Sequence, residues 1–357
     1  VRVSLRHVTR GTDQHITIPN ATRTLTMNAT RTYRGLALGT IAALTLAACG
    51  SSDDEGSGSG ESSAASGDTV TITDNDGEKE VSVPPQSVVA TDNRTFETLD
   101  SWDVELSAAA VSLMPDTISY TEDQDIVDLG LHTEPDLEAV VAAEPDLIIN
   151  GQRYADYASD FEELVPDATL VNLDPREGEP FDEELKRQTS ALGTIFEKES
   201  EADDLNSALD ESIQRVEDAY DDEQTVMAVI VSGGEIGYVV PSTGRTMGPL
   251  FDIFGFTPAL EVEGSDDHQG DDISVEAIAD SEPDIMLVMD RDAAVGPEEG
   301  QEYQPAAEVI EESEALQDVP AVQDDKVIYM PDDTYTNESI QTYTEYFNSI
   351  ADELEQS

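Results

Sequence analysis

Two segments of this chain, 138 residues apart, read as near copies of one another. Residues 137–153 are LEAVVAAEPDLIINGQR and residues 275–291 are VEAIADSEPDIMLVMDR, with six of 17 positions identical: Glu138/Glu276, Ala139/Ala277, Glu144/Glu282, Pro145/Pro283, Asp146/Asp284 and Arg153/Arg291. Each copy reads as a helix, a Pro-Asp turn, a buried strand, and an arginine just beyond the strand's carboxyl end. A second echo follows in the same order, Val165-Pro166 before Leu170–Leu173 and Val319-Pro320 before Val327–Met330. Two matches in one order predict two lobes of similar α/β build, because each unit needs its own sheet to bury the strand.

The rest of the chain fits that plan. Residues 69–83 (TVTITDNDGEKEVSV) alternate around Asn75-Asp76-Gly77 and predict a β-hairpin. Val88-Val89-Ala90 reads as a short buried strand, after which strands and helices alternate, as parallel pairing requires. Between the lobes lies a helical stretch: residues 182–192, ending near Gly193, then 197–221, with Ala202, Leu205, Leu209, Ile213, Val216 and Tyr220 at helical spacing. About 25 helical residues span roughly 37 Å, a strut long enough to join the lobes and stiff enough to limit hinge motion. Strands are expected at Val226–Val231 and Gly237–Val240, and a closing helix from about Glu338 to Leu354. The predicted fold class is α/β: two Rossmann-like lobes with central parallel sheets, residues 68–181 and 224–357, joined by long helix in residues 182–223, with a ligand cleft between them.

The amino-terminal region reads as an export signal. Arg31 and Arg34 precede the apolar stretch Leu36 to Ala48, and the run Leu46-Ala47-Ala48 ends at Cys49, the only cysteine. A positive region, a short apolar region and a small-residue cleavage site make a secretory signal, and the apolar region is too short to span a bilayer unless extended. The expectation is that residues 1–48 form the signal region, that translation starts at Met27, and that residues 1–26 carry no function. Cys49 would be lipid-modified, with residues 49–67 as a flexible Gly/Ser/acidic linker on the extracytoplasmic face of the cell membrane. With its one thiol so used, the chain after cleavage has no disulfide.

Charge narrows the partners. Six of the 17 Lys and Arg and one of the 79 Asp and Glu lie in residues 1–48, which leaves 11 bases against 78 acids and a net charge of −67 for the remainder. Such a surface repels nucleic acid and anionic lipid and suits raised salt, where a short Debye length weakens self-repulsion. Against that background the arginines stand out. Ligands of open α/β sheets sit beyond the carboxyl ends of the strands; Arg153 and Arg291 fall there, one per lobe, and Arg245 follows another strand in the turn Pro241-Ser242-Thr243-Gly244-Arg245. Guanidinium groups stay charged and donate in a planar fork, which suits multidentate oxyanions. Arg94, just after the first strand of its lobe, is a further candidate for the cleft wall; Trp102 reads as lobe core.

The cysteine signal, the two lobes, the helical strut and the paired Glu-Pro-Asp segments resemble the periplasmic-binding-protein family that feeds ABC importers, in its helix-linked class. The nearest branch is similar to lipoproteins for ferric catecholate siderophores of the enterochelin and petrobactin kind. The local matches are Ile149-Asn150-Gly151-Gln152-Arg153; Pro241-Ser242-Thr243-Gly244-Arg245 with Gly248 and Asp252-Ile253-Phe254-Gly255; His268-Gln269-Gly270 before Ile273-Ser274; and Met289-Asp290-Arg291-Asp292. The resemblance covers roughly residues 69–355. It implies a ferric siderophore as transported ligand, with no intrinsic cofactor, held by Arg153, Arg245 and Arg291. It also implies possible iron donors at His268 and Tyr335, although the segment Asp332–Thr336 departs from the family pattern. It implies docking to the permease subunits through Glu138 and Glu276, one carboxylate per lobe. A monomer without enzymatic activity is expected.

Haem or cobalamin is the alternative within this class, disfavoured by an aromatic content of 6%. A His-based zinc or manganese site is poorly supplied, since only His132 and His268 follow the signal region. An extracellular hydrolase lacks a G-x-S-x-G elbow, H-E-x-x-H or P-loop, though its many acids leave a carboxylate glycosidase open.

Overall fold

The computed structural model describes residues 68–130, 134–262, 264–297 and 302–356. The signal region, Cys49 and the linker lie outside these residues. The hairpin forms where Asn75-Asp76 places it. Strands β1 (Asp68–Asp74) and β2 (Gly77–Val83) pair antiparallel with Asp74 opposite Gly77. The Asp74 carboxylate accepts from Asp76 N at 2.8 Å and Gly77 N at 3.1 Å, and Gly77 takes φ +128°, a conformation that favours a residue without Cβ.

The first lobe continues with β3 (Val88–Ala90), α1 (Phe96–Ser101), β4 (Ala108–Ala109), β5 (Val127–Asp128), α2 (Leu137–Ala142), β6 (Leu147–Asn150), α3 (Ala158–Leu164) and β7 (Thr169–Asn172). Its five-stranded sheet has the order β5-β4-β3-β6-β7 and is parallel throughout. All of β3 and β6 is buried, as expected for strands covered on both faces. Trp102 belongs to this core.

Two helices follow, α4 (Phe181–Phe196) and α5 (Glu199–Ala219). The sequence placed the end of the first near Gly193; instead α4 runs through that glycine. A Cβ there would meet the Ala202 Cβ at 2.7 Å, so the glycine permits α4 and α5 to touch, and the helix stops at Glu197, whose φ is +56°. The strut is therefore a helical hairpin. On α4, Leu185 joins the second lobe's core while Leu192 and Ile195 join the first; on α5, Ala202 joins the first while Leu209 and Val216 join the second.

The second lobe comprises β8 (Thr225–Ser232), β9 (Glu235–Val239), α6 (Leu250–Phe254), β10 (Thr257–Pro258), β11 (Asp271–Asp272), α7 (Val275–Asp280), β12 (Ile285–Asp290), α8 (Arg291–Val295), α9 (Ala306–Glu312), α10 (Pro320–Gln323), β13 (Val327–Tyr329) and α11 (Ile340–Glu355). Its main path is β11-β9-β8-β12-β13. The central strands β8, β12 and β13 are parallel as expected. The departure from an all-parallel sheet is β9, which runs antiparallel to β8 because β8 returns through the tight Gly233-Gly234 turn, and β11 pairs antiparallel with β9 in turn. Alternate residues of β8 point to opposite faces. Val226, Ala228 and Ile230 pack with α6 and α11, while Met227, Val229 and Val231 pack with α7 and α9. Helix α11 begins at Ile340 rather than Glu338, because the Ser339 hydroxyl caps it, accepting from Thr342 N at 3.1 Å.

The repeat has a structural cause. Asp146 accepts from Gln86 N at 2.8 Å and Ser87 N at 3.0 Å, which fastens the start of β6 to the start of β3. Asp284 accepts from Thr225 N at 2.8 Å and Thr225 Oγ1 at 3.0 Å, which fastens β12 to β8. The preceding Glu144 and Glu282 both adopt left-handed φ, +44° and +48°. The shared Glu-Pro-Asp is thus a turn and strand staple, and it places the two arginines at corresponding strand ends.

Candidate ligand-binding site

Each arginine is held by a local device. Arg153 lies on the 3-10 turn Gln152–Tyr157 that follows β6. That turn starts at Gly151, where a Cβ would meet Asp92 Oδ2 at 2.6 Å and Asp174 Oδ1 at 2.8 Å, and Gln152 N donates to Asp174 at 2.9 Å. Arg291 opens α8, which Asp290 caps by accepting from Ala293 N at 3.0 Å. Arg245 sits in a tight loop closed by Ser242 N to Gly248 O at 2.8 Å and Gly248 N to Gly244 O at 3.0 Å. Glycine is needed at 248, since a Cβ would lie 2.2 Å from Gly244 O.

These three side chains converge on one ring. The guanidinium carbons of Arg245, Arg291 and Arg153 lie 4.5, 4.9 and 5.5 Å from the centroid of Tyr335, within cation–π range. Tyr335 comes from the loop between β13 and α11 and is only 3% exposed. Burial raises its phenol's affinity for the proton. Hydrogen bonding from Arg291 and Arg153 and the charge of Arg245 outweigh burial and hold the group below its usual range. Three like charges around one ring repel each other, which primes the cluster for an anion.

Their remaining partners differ. Arg245 pairs with Glu338 at 3.2 Å, and Arg94 reaches the same carboxylate at 3.1 Å. Arg291 pairs with Asp292 at 3.3 Å and donates to Ser232 Oγ at 3.3 Å. Arg153 makes no ion pair among the described residues. Arg153 Nη2, Arg291 Nε and Arg94 Nε are buried donors without a partner, a costly state that acceptor atoms of a ligand can relieve. Beside them, a cavity of about 320 Å³ is lined by Arg94, Gln152, Arg153, Asp174 and Pro175. Pro175 also borders a groove of about 1050 Å³ whose walls include Phe181, Ile213 and Ile253. Beneath Arg94, Asp92 is wholly buried, and its carboxyl is pushed up to about 7 by burial and by the charge of Asp174.

Other candidate residues lie elsewhere. His268 sits on the exposed loop before β11, 3.7 Å from the Asp267 carboxylate, and makes no contact with the arginine cluster. Its neighbour Gln269 turns inward instead, donating to Ser232 Oγ at 3.4 Å, the hydroxyl that Arg291 also contacts. Glu138 and Glu276 are exposed, each in the first turn of a repeat helix. Sequence reasoning missed Glu338, Asp92 and Asp174; in so acidic a chain, nothing about an isolated carboxylate marks it as buried against an arginine. Among the described residues there is no group of three or more His, Cys, Asp or Glu able to hold a metal ion, and no helix long and apolar enough to cross a membrane.

Two lobes joined by helices, with a polar cluster where they meet, define the binding-protein class. Residues 88–334 match the periplasmic binding protein family, and the chain belongs to that family. It is similar to the petrobactin-binding protein YclQ of Bacillus subtilis, 26% identical over 276 residues, which cover 76% of this chain and 83% of that protein. The crystal structure of YclQ superposes with a TM-score of 0.68 at 25% identity, covering 81% of this chain and all of the other. The ferric-anguibactin-binding protein FatB of Vibrio anguillarum is 27% identical over 221 residues, 61% of this chain and 68% of that one. The siderophore-binding protein BauB, solved with ferric iron and two acinetobactin molecules, matches with a TM-score of 0.68 at 25% identity, over 80% of this chain and 99% of that one.

Proposed function

We propose that this protein captures an anionic ferric siderophore of the catecholate type between its lobes and hands it to the permease of an ABC importer. One observation carries the reading: Arg153, Arg245 and Arg291, scarce cations from both lobes, surround Tyr335 with buried donors unfilled. A ferric tris-catecholate carries about three negative charges on a shell of oxygens, and planar guanidinium forks complement such a shell. The siderophore-binding relatives support the choice of ligand. Tyr335 serves as the aromatic floor of this site; His268 contributes from its loop only if that loop folds inward over the ligand. The protein binds its ligand and does not transform it.

The proposal extends to its setting. A lipid on Cys49 tethers a monomer to the extracytoplasmic face, and Glu138 and Glu276 meet basic pockets on two permease subunits. Their equivalent positions on the repeat helices support a paired docking role.

Titration with a ferric tris-catecholate, followed by quenching of Trp102 and tyrosine fluorescence, tests the site. Saturable 1:1 quenching is expected, and Arg153→Ala, Arg245→Ala or Arg291→Ala should each weaken binding by about 1.5–3 kcal/mol, as for hydrogen bonds to charged groups. If all three variants bind as well as the parent, the site is elsewhere. Tighter binding of haem or cobalamin would reassign the ligand.

A further inference from the structure

Arginines from both lobes face one carboxylate at the lobe junction. Glu338 Oε2 lies 3.1 Å from Arg94 Nη2 of the first lobe, and Oε1 accepts from Arg245 Nη2 of the second at 3.2 Å and from Thr246 Oγ1 at 2.9 Å. The Glu338 side chain is 2% exposed. Burial opposes its charge, but Arg245, Arg94 and the Thr246 hydroxyl outweigh burial and keep it ionised. Its chain neighbours are anchored as well: Asn337 Nδ2 donates to Glu97 at 2.9 Å and Ser339 donates to the same carboxylate. Glu338 is therefore a fixed negative charge in contact with one of the three arginines on Tyr335, and not a mobile surface acid.

We infer that Glu338 is the site's own counter-anion and sets how many negative charges a ligand must carry to bind well. In the ligand-free protein it neutralises Arg245 and shares Arg94 with Asp174, which Arg94 Nη1 meets at 3.3 Å, in a place where bare charges are costly. In the complex the same charge opposes the ligand's, and this opposition grows in proportion to the ligand's charge. The inference rests on the anion-binding function proposed above. It is distinct from a plain structural role, which would alter stability without altering the preference among ligands of different charge.

The test uses ferric chelates of similar size whose chelating groups change from three catecholates to two catecholates plus one hydroxamate to one catecholate plus two hydroxamates. Their net charges step through −3, −2 and −1. Affinity is plotted against charge for the parent, Glu338→Gln and Glu338→Asp. The glutamine variant should steepen the dependence by at least about fivefold in affinity per added negative charge. The aspartate variant, which keeps the charge, should stay within about twofold of the parent per step. An unchanged or shallower dependence in Glu338→Gln overturns the inference. Should that variant fail to fold, Arg94→Gln with Glu338→Gln restores the charge balance and should return the parent's dependence, while Arg94→Gln alone should flatten it; any other pattern overturns the inference. A parent that binds none of the chelates removes the proposed function itself.

Discussion

The two lobes share a staple but not a sheet. In the first, all five strands are parallel; in the second, β9 runs against its neighbours β8 and β11. Yet Asp146 and Asp284 fasten corresponding strand starts, and Arg153 and Arg291 leave corresponding strand ends. The arginines then part company. Both lie over Tyr335 with a buried donor unfilled, but Arg291 is tied to Asp292, whose carboxylate also accepts from Gly233 N at 2.6 Å, whereas Arg153 has no ion pair among the described residues. A repeat can thus hold two residues in equivalent backbone positions while the surrounding, non-repeated segments decide how strongly each is restrained.

Four measurements can break or sharpen this contrast. The largest effect is expected from the staples: Asp146→Ala and Asp284→Ala should each cost about 2–3 kcal/mol in denaturant unfolding, since each leaves two donors without a partner. Clearly unequal losses would show that the two copies do not carry the same load.

The next effect belongs to the first lobe alone. Asp92 titrates near 7 when folded, against 3.8 as the ordinary value. Between these pH values the folded form holds a proton that the unfolded form has lost, so stability falls as pH rises through this window. From pH 5 to 8 the loss should be on the order of 2 kcal/mol, and Asp92→Asn should abolish it. A melting profile that keeps the same pH dependence in that variant would move the titrating group elsewhere.

Third, Arg291→Ala should destabilise the ligand-free protein by about 1 kcal/mol, because Asp292 loses its cation in a buried place, while Arg153→Ala should change stability by less than about 0.5 kcal/mol. Equal losses would mean that Arg153 has a restraint equivalent to Asp292. The smallest effects are expected from Glu138→Gln and Glu276→Gln, within about 0.5 kcal/mol in stability for exposed side chains; with the docking role proposed here, uptake assays in cells should respond to both even though melting does not.

Much of the architecture was legible beforehand. The Asn75-Asp76-Gly77 turn, the short buried runs and the helical spacing from Ala202 to Val216 each carry local rules that hold wherever the segment lies. The end of α4 was misread because a glycine usually marks a helix end; at Gly193 it marks a close helix crossing, which depends on where Ala202 comes to rest. The antiparallel edge of the second sheet was also hidden, since the Gly233-Gly234 turn makes a hairpin out of what alternation alone reads as another parallel strand. At the site, the arginines were conspicuous because they are scarce. Their acidic counterparts were invisible because carboxylates are everywhere in this chain.

Taken alone, the amino-acid order determined the duplicated α/β plan, the helical connection and the placement of an arginine after a strand in each half, because these follow from short-range periodicity and turn chemistry. Only the tertiary structure decided that Arg153, Arg245 and Arg291 share the ring of Tyr335, that Glu338 pairs with arginines of both lobes, and that His268 stays on an outer loop. Those relations join residues far apart in the sequence, as for Arg94 and Glu338 across the lobe junction. They depend on how two separately built sheets are brought face to face by their helices, a geometry that no local pattern encodes.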